Sequence, residues 1–130
     1  MQLHLYLSQH ATSRTQLKEV LRGSLERFNV IQYTALENIG QVLPSNGSQP
    51  DAALILLGNN AELLRLMENK FIRNLKSILI FPETDQETMQ RAYALGPITI
   101  YHNDTDFEAV ASILDHIRTR NGATSAYAMN

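Results

Sequence analysis

Five short apolar runs recur along the chain, at residues 3–7, 30–33, 52–57, 78–81 and 98–101, and the segments between them carry helical spacing. This alternation is the strongest constraint on the fold. Each run has the length of one strand, and each intervening segment can cover a sheet. The third run, Ala52-Ala53-Leu54-Ile55-Leu56-Leu57, is apolar at every position. A strand with one face in water would alternate. A continuously apolar strand belongs in a parallel sheet buried on both faces.

The helical segments support the same order. Leu17, Val20, Leu21, Leu25 and Phe28 form one stripe, and Phe107, Val110, Ala111, Leu114 and Ile117 form another. A 3.6-residue period explains both. Helix starts are marked by four pairs at capping-box spacing: Ser13 with Gln16, Asn59 with Glu62, Thr84 with Glu87, and Thr105 with Glu108. In each, the first side chain accepts from a free backbone N–H and the fourth reaches back. Gly96 stands where a left-handed C-cap would end the fourth helix. Leu36, Ile39, Val42 and Leu43 suggest a short second helix, followed by a Pro/Ser/Gly-rich loop to Pro50. The sequence thus predicts β-α repeated five times. With right-handed crossovers this is an α/β three-layer α-β-α sandwich, flavodoxin-like, with parallel sheet order 2-1-3-4-5. A ligand would sit at the carboxyl ends of the strands near the order reversal. The domain is expected over residues 1–120, with residues 121–130 a flexible tail or linker.

Length and charge exclude several functions. One hundred and thirty residues with 44% hydrophobic content make one domain with a real core. The chain has no cysteine, which excludes disulfides, thiolate metal sites and cysteine nucleophiles. Net charge is −2 with the eleven Lys and Arg dispersed, so neither nucleic acid nor an anionic membrane is an expected partner. The first residues lack a basic segment followed by a long apolar stretch, and no run is long enough to span a bilayer. A cytoplasmic setting is the expectation.

Two stretches resemble a response-regulator receiver domain. Pro50-Asp51-Ala52-Ala53-Leu54-Ile55-Leu56-Leu57 is similar to the third-strand pattern that runs into the family's phosphoacceptor aspartate. Residues 77–116 are similar to the family's second half, including Thr84-Asp85 and the helix ending Ala92-Tyr93-Ala94-Leu95-Gly96. The positions that carry the family's chemistry are all changed. Ser8 and Gln9 stand where the resemblance implies a Mg²⁺-binding acidic pair. Leu56, Leu57 and Gly58 span the place of the phosphoacceptor. Pro82 replaces the Ser or Thr after the fourth strand, and His102 or Asn103 the Lys after the fifth. Mg²⁺ requires carboxylate oxygens, and an acyl phosphate requires a carboxylate nucleophile. The resemblance therefore implies a degenerate receiver, without enzyme activity or cofactor, that signals by binding another signalling protein or a second copy of itself. Met89, Ala92, Tyr93 and Tyr101 are its candidate interaction face, corresponding to the face through which receivers bind partners; core packing explains them equally well.

Other residues admit a second reading, a small-molecule or cofactor sensor. Ser8, His10, Gly58, Pro82 and His102 all follow strand ends and would share a crevice. His10 and His102 could form a metal or proton-handling pair with Asp104 or Glu83 as a third group, or be ordinary loop histidines. The hydroxyl-rich turn of Ser8, Thr12, Ser13 and Thr15 resembles a flavodoxin phosphate loop in its position but contains no glycine, and an N-cap with polar neighbours explains it as well. Asp104 and Asp106 precede the last helix, where the helix dipole alone favours acids. His4 is expected in the core and His116 on the surface. No nucleophile-base arrangement stands out, and a small enzyme is the least supported of the three readings.

Overall fold

The computed structural model describes residues 2–41, 52–81, 86–97, 99–102 and 107–129, with the side chains at 102 and beyond 118 excepted. The elements run β1 (Gln2–Leu7), α1 (Arg14–Leu25), β2 (Asn29–Gln32), a 3₁₀ turn (Leu36–Asn38), β3 (Ala52–Leu56), α2 (Asn60–Met67), a second 3₁₀ turn (Ile72–Asn74), β4 (Lys76–Phe81), α3 (Gln86–Ala94), β5 (Thr99–His102) and α4 (Phe107–Met129). All five strands are parallel, in the order β2-β1-β3-β4-β5. The fold is a flavodoxin-like α-β-α sandwich, as the run spacing predicts.

Alternation along the strands divides the core into two layers. Leu3, Leu5 and Leu7 of β1, Leu54 and Leu56 of β3, and Ile78 and Ile80 of β4 pack against Leu17 and Leu21 of α1 and Val110 and Leu114 of α4. Ala53 and Ile55, Leu79 and Phe81 face the other way, onto Leu63 and Leu66 of α2 and Ala92 of α3. The central strand β3 is buried at every residue, which is why its sequence does not alternate in polarity.

Two expectations are corrected. The second helix is a single 3₁₀ turn among the described residues, with Val42 and Leu43 outside them. Its carbonyls are taken by a side chain: Asn69 Nδ2 donates to Leu36 O (2.8 Å) and Ile39 O (2.9 Å), while Asn69 Oδ1 accepts from Phe71 N and Ile72 N. Gly40 then turns the chain with φ of +85°, where a Cβ would lie 2.9 Å from Phe71 Cβ. The backbone of α4 is helical to Met129. Ala123, Ala126 and Ala128 are strong helix formers and no proline intervenes, so an established helix continues. The second correction is at α1, where Ser13 makes no side-chain cap bond. The Asn59 cap is present, with Asn59 Oδ1 accepting from Glu62 N at 3.0 Å, and Gly96 has the left-handed φ of +72°. Thr84 and Thr105 lie outside the described residues. Among the described residues no helix is long and apolar enough to cross a membrane.

Candidate functional site

The carboxyl end of β1 meets that of β3 where strand order reverses, and a buried carboxylate fills this place. His4, Tyr6 and Ser8 occupy every second position, so they share the face of β1 opposite Leu3, Leu5 and Leu7. All three are buried. His4 Nδ1 and the Tyr33 hydroxyl are 2.8 Å apart, with the rings stacked. The Tyr6 hydroxyl donates to Glu62 Oε2 at 2.5 Å. Ser8 Oγ donates to Glu62 Oε1 at 2.7 Å, and the Gly58 amide donates to the same oxygen at 2.7 Å. Ser8 Oγ in turn accepts from His10 N at 3.0 Å.

Glu62 reaches this position because α2 starts directly after β3. Asn59 caps the helix, and Glu62 is the third residue beyond it, in the first turn where the helix dipole favours an anion. A capping box would send its side chain back to the Asn59 amide. Instead it turns inward to the three donors, and Glu62 is only 4% exposed. The loops must approach closely for this. A Cβ on Gly58 would lie 2.7 Å from His10 Cβ and 2.8 Å from His10 C, so glycine is the residue that lets the two loops touch.

Electrostatics follow from the geometry. Burial by itself pushes the Glu62 carboxyl up. The hydrogen bonds from Tyr6, Ser8 and Gly58, with the field of His10, outweigh it and hold the group below its ordinary value. Burial, the hydrogen bond to Glu62 and the carboxylate's charge push the Tyr6 hydroxyl up to about 12. At neutral pH the cluster is thus a carboxylate with a phenol donor.

Beside the cluster lies a cleft of ≈ 360 Å³ between the ends of β1 and β2 and the first turns of α1 and α2. Tyr6 and Glu62 form part of its wall, with His10, Arg14, Tyr33 and Arg65 among the other lining residues.

The residues singled out in the sequence fall into separate places. Ser8 and Gly58 meet through Glu62. Gln9 is exposed and lines the cleft, while Leu56 and Leu57 are core residues on opposite sheet faces. Pro82, Glu83, Asn103, Asp104 and Asp106 lie outside the described residues, as does the side chain of His102. Thr12 and Thr15 are exposed, and Thr15 borders a second hollow along α1. Met89, Ala92, Tyr93 and Tyr101 differ in burial and in the side of the sheet they pack on. Ala92 is fully buried and Met89 packs beside it, whereas Tyr101 packs on the opposite face of the sheet. Tyr93 alone of the four is well exposed, at 63%, and on the same side of the sheet Leu64 and Met67 of α2 are also exposed. His4 is buried and His116 exposed, as expected.

Sequence reasoning missed Tyr6, Glu62, Arg14 and Arg65. The available signal was a polar tip at every second residue of an otherwise leucine-rich strand, together with a glutamate in the first turn after β3.

No protein-family model matches this chain, and no curated protein matches it in sequence. Solved structures do match it in fold. A response regulator protein from Burkholderia multivorans aligns with a TM-score of 0.55 at 12% identity, over 91% of this chain and 95% of that one. The signal receiver domain of a modulated diguanylate cyclase from Desulfovibrio desulfuricans aligns with a TM-score of 0.52 at 21% identity, over 92% and 95%. The signal receiver domain of a putative Luxo repressor protein from Vibrio parahaemolyticus gives 0.55 at 11% identity, over 94% and 95%. The chain therefore has a receiver-like fold.

Proposed function

We propose that this chain is a receiver-like signalling module that works by protein contact and without phosphorylation. The observation that carries the reading is the Glu62 carboxylate at the ends of β1 and β3. Receiver chemistry would need acids at Ser8 and Gln9 and an aspartate at the end of β3. Among the described residues one acid, Glu62, arrives from α2, and its oxygens are taken by Tyr6, Ser8 and Gly58. A single carboxylate engaged in this way offers a poor shell for Mg²⁺, which favours several oxygen ligands in octahedral array. It is also shielded from in-line attack on a phosphoryl donor. The hydrogen bonds tie the ends of β1 and β3 to the first turn of α2.

Contact with a partner protein is supported by Leu64, Met67 and Tyr93, three large side chains exposed on the α2–α3 side. Sedimentation velocity of the chain, with and without Mg²⁺ and acetyl phosphate, tests the reading. It requires the same association state in both conditions. A donor-dependent change in association overturns it.

A further inference from the structure

We propose that the cleft between the ends of β1 and β2 binds a small organic anion through Arg14 and Arg65. This goes beyond the reading above, because the cleft lies beside the Glu62 cluster and uses different groups. Its volume of ≈ 360 Å³ falls within the range of small-molecule sites. Its lining is rich in donors. Arg14 and Arg65 supply two permanent positive charges, with His10, Gln9, Gln32 and Asn59 around them. Among the described residues Glu62 is the one acid in this lining, and its carboxylate is directed at Tyr6, Ser8 and Gly58.

Two observations single out Arg14, which forms no ion pair with an acid among the described residues. The Arg14 Nε–H is buried and has no hydrogen-bond partner among the described residues. A guanidinium N–H withdrawn from water without an acceptor is costly, and a turn of the Arg14 side chain toward an anion in the adjoining cleft would relieve that cost. Arg14 is also the first residue of α1, whose first turn contains no acid and whose N-cap residue makes no side-chain bond. A cation at the positive end of a helix dipole is unfavourable unless negative charge lies nearby. Arg65 contributes in a different way. One of its terminal nitrogens, Nη2, contacts both Glu37 oxygens, at 2.9 and 3.2 Å. The pair is half exposed, so an anion in the cleft can compete for the guanidinium.

The shared chemistry of the ligand is an oxyanion, phosphate or carboxylate, on a body small enough for the cleft. The tyrosine rings of Tyr6 and Tyr33 supply the apolar wall for that body.

Amide-resolved NMR titration of the full chain at low salt tests this, with inorganic phosphate, adenosine monophosphate and citrate as probes. The expected result is saturable shifts at residues 9–14, 33–34 and 59–65 with at least one probe. Preference for adenosine monophosphate or for citrate distinguishes a phosphate from a carboxylate ligand. Arg14→Gln and Arg65→Gln should each weaken binding about tenfold, the loss expected for one charged contact. Glu37→Gln should tighten it by freeing Arg65, a gain that a merely structural role for Arg65 does not produce. Arg22→Gln, on another part of α1, should leave binding unchanged. Absence of saturable shifts with all three probes overturns the proposal, as does equal weakening by Arg14→Gln and Arg22→Gln.

Discussion

Replacing Glu62 by glutamine changes one atom and removes one charge from a site with three donors, so its cost can be worked out. The glutamine carbonyl can take the place of Oε1 and keep the bonds from Ser8 and Gly58, each 2.7 Å in the native chain. Its NH₂ group then faces Tyr6, whose oxygen must switch from donor to acceptor. Three charge-assisted bonds become neutral ones, at about 0.5–1 kcal/mol each, partly offset by not burying a charge. The net expectation is a loss of about 1–2 kcal/mol. Glu62→Ala leaves all three donors without an acceptor. Its cost is roughly 3–4 kcal/mol after the hydroxyls that border the cleft recover some hydration. The assay is urea unfolding from pH 7 to pH 3. The Glu62 carboxyl is held below its ordinary value in the fold, so the unfolded chain binds more protons. Its contribution is present above the unfolded pKa, about 4.3, and is lost as pH falls through the lower folded value. The gap between native and Glu62→Gln should therefore narrow below about pH 4. A glutamine variant as stable as the native chain at pH 7, or a gap that does not change with pH, would refute the reasoning.

Other substitutions probe the same frame. Tyr6→Phe removes the 2.5 Å bond to Glu62; it should cost about 2 kcal/mol in urea unfolding, and much less in the Glu62→Gln background because the two are coupled. Gly58→Ala places a Cβ 2.7 Å from His10 Cβ and against His10 backbone, and should lower stability by roughly 1–3 kcal/mol. Gly23→Ala meets nothing within 4 Å on an exposed stretch of α1; it should raise stability by roughly 0.5–1 kcal/mol. Asn69→Asp turns a donor to the Leu36 and Ile39 carbonyls into an acceptor. Thermal unfolding should show it to be more damaging than Asn69→Ala, by about 1 kcal/mol or more.

The fold was legible because strand burial writes itself locally. A run that is apolar on both faces needs cover on both faces, and that requirement with the helix stripes selects the doubly covered parallel sheet. The second helix was misread because Leu36 and Ile39 have helical spacing whatever their backbone does. Their carbonyls are claimed by Asn69, 33 and 30 residues away, and no local pattern encodes that. Glu62 shows the same limit at the site. Its spacing from Asn59 marked the start of α2 correctly, yet its carboxylate serves Tyr6 and Ser8, 56 and 54 residues distant. Met89, Ala92, Tyr93 and Tyr101 are near in sequence, but the sheet lies between Tyr101 and the rest. Arg14 and Arg65 looked like dispersed surface charges until the topology placed both on one cleft.

The most direct test of the central claim is the intact mass of the chain after incubation with Mg²⁺ and acetyl phosphate. The account predicts an unchanged mass at every donor concentration, because the carboxylate at the strand ends is already held by Tyr6, Ser8 and Gly58. A covalent phosphoryl group on any carboxylate, Glu62 above all, would contradict it.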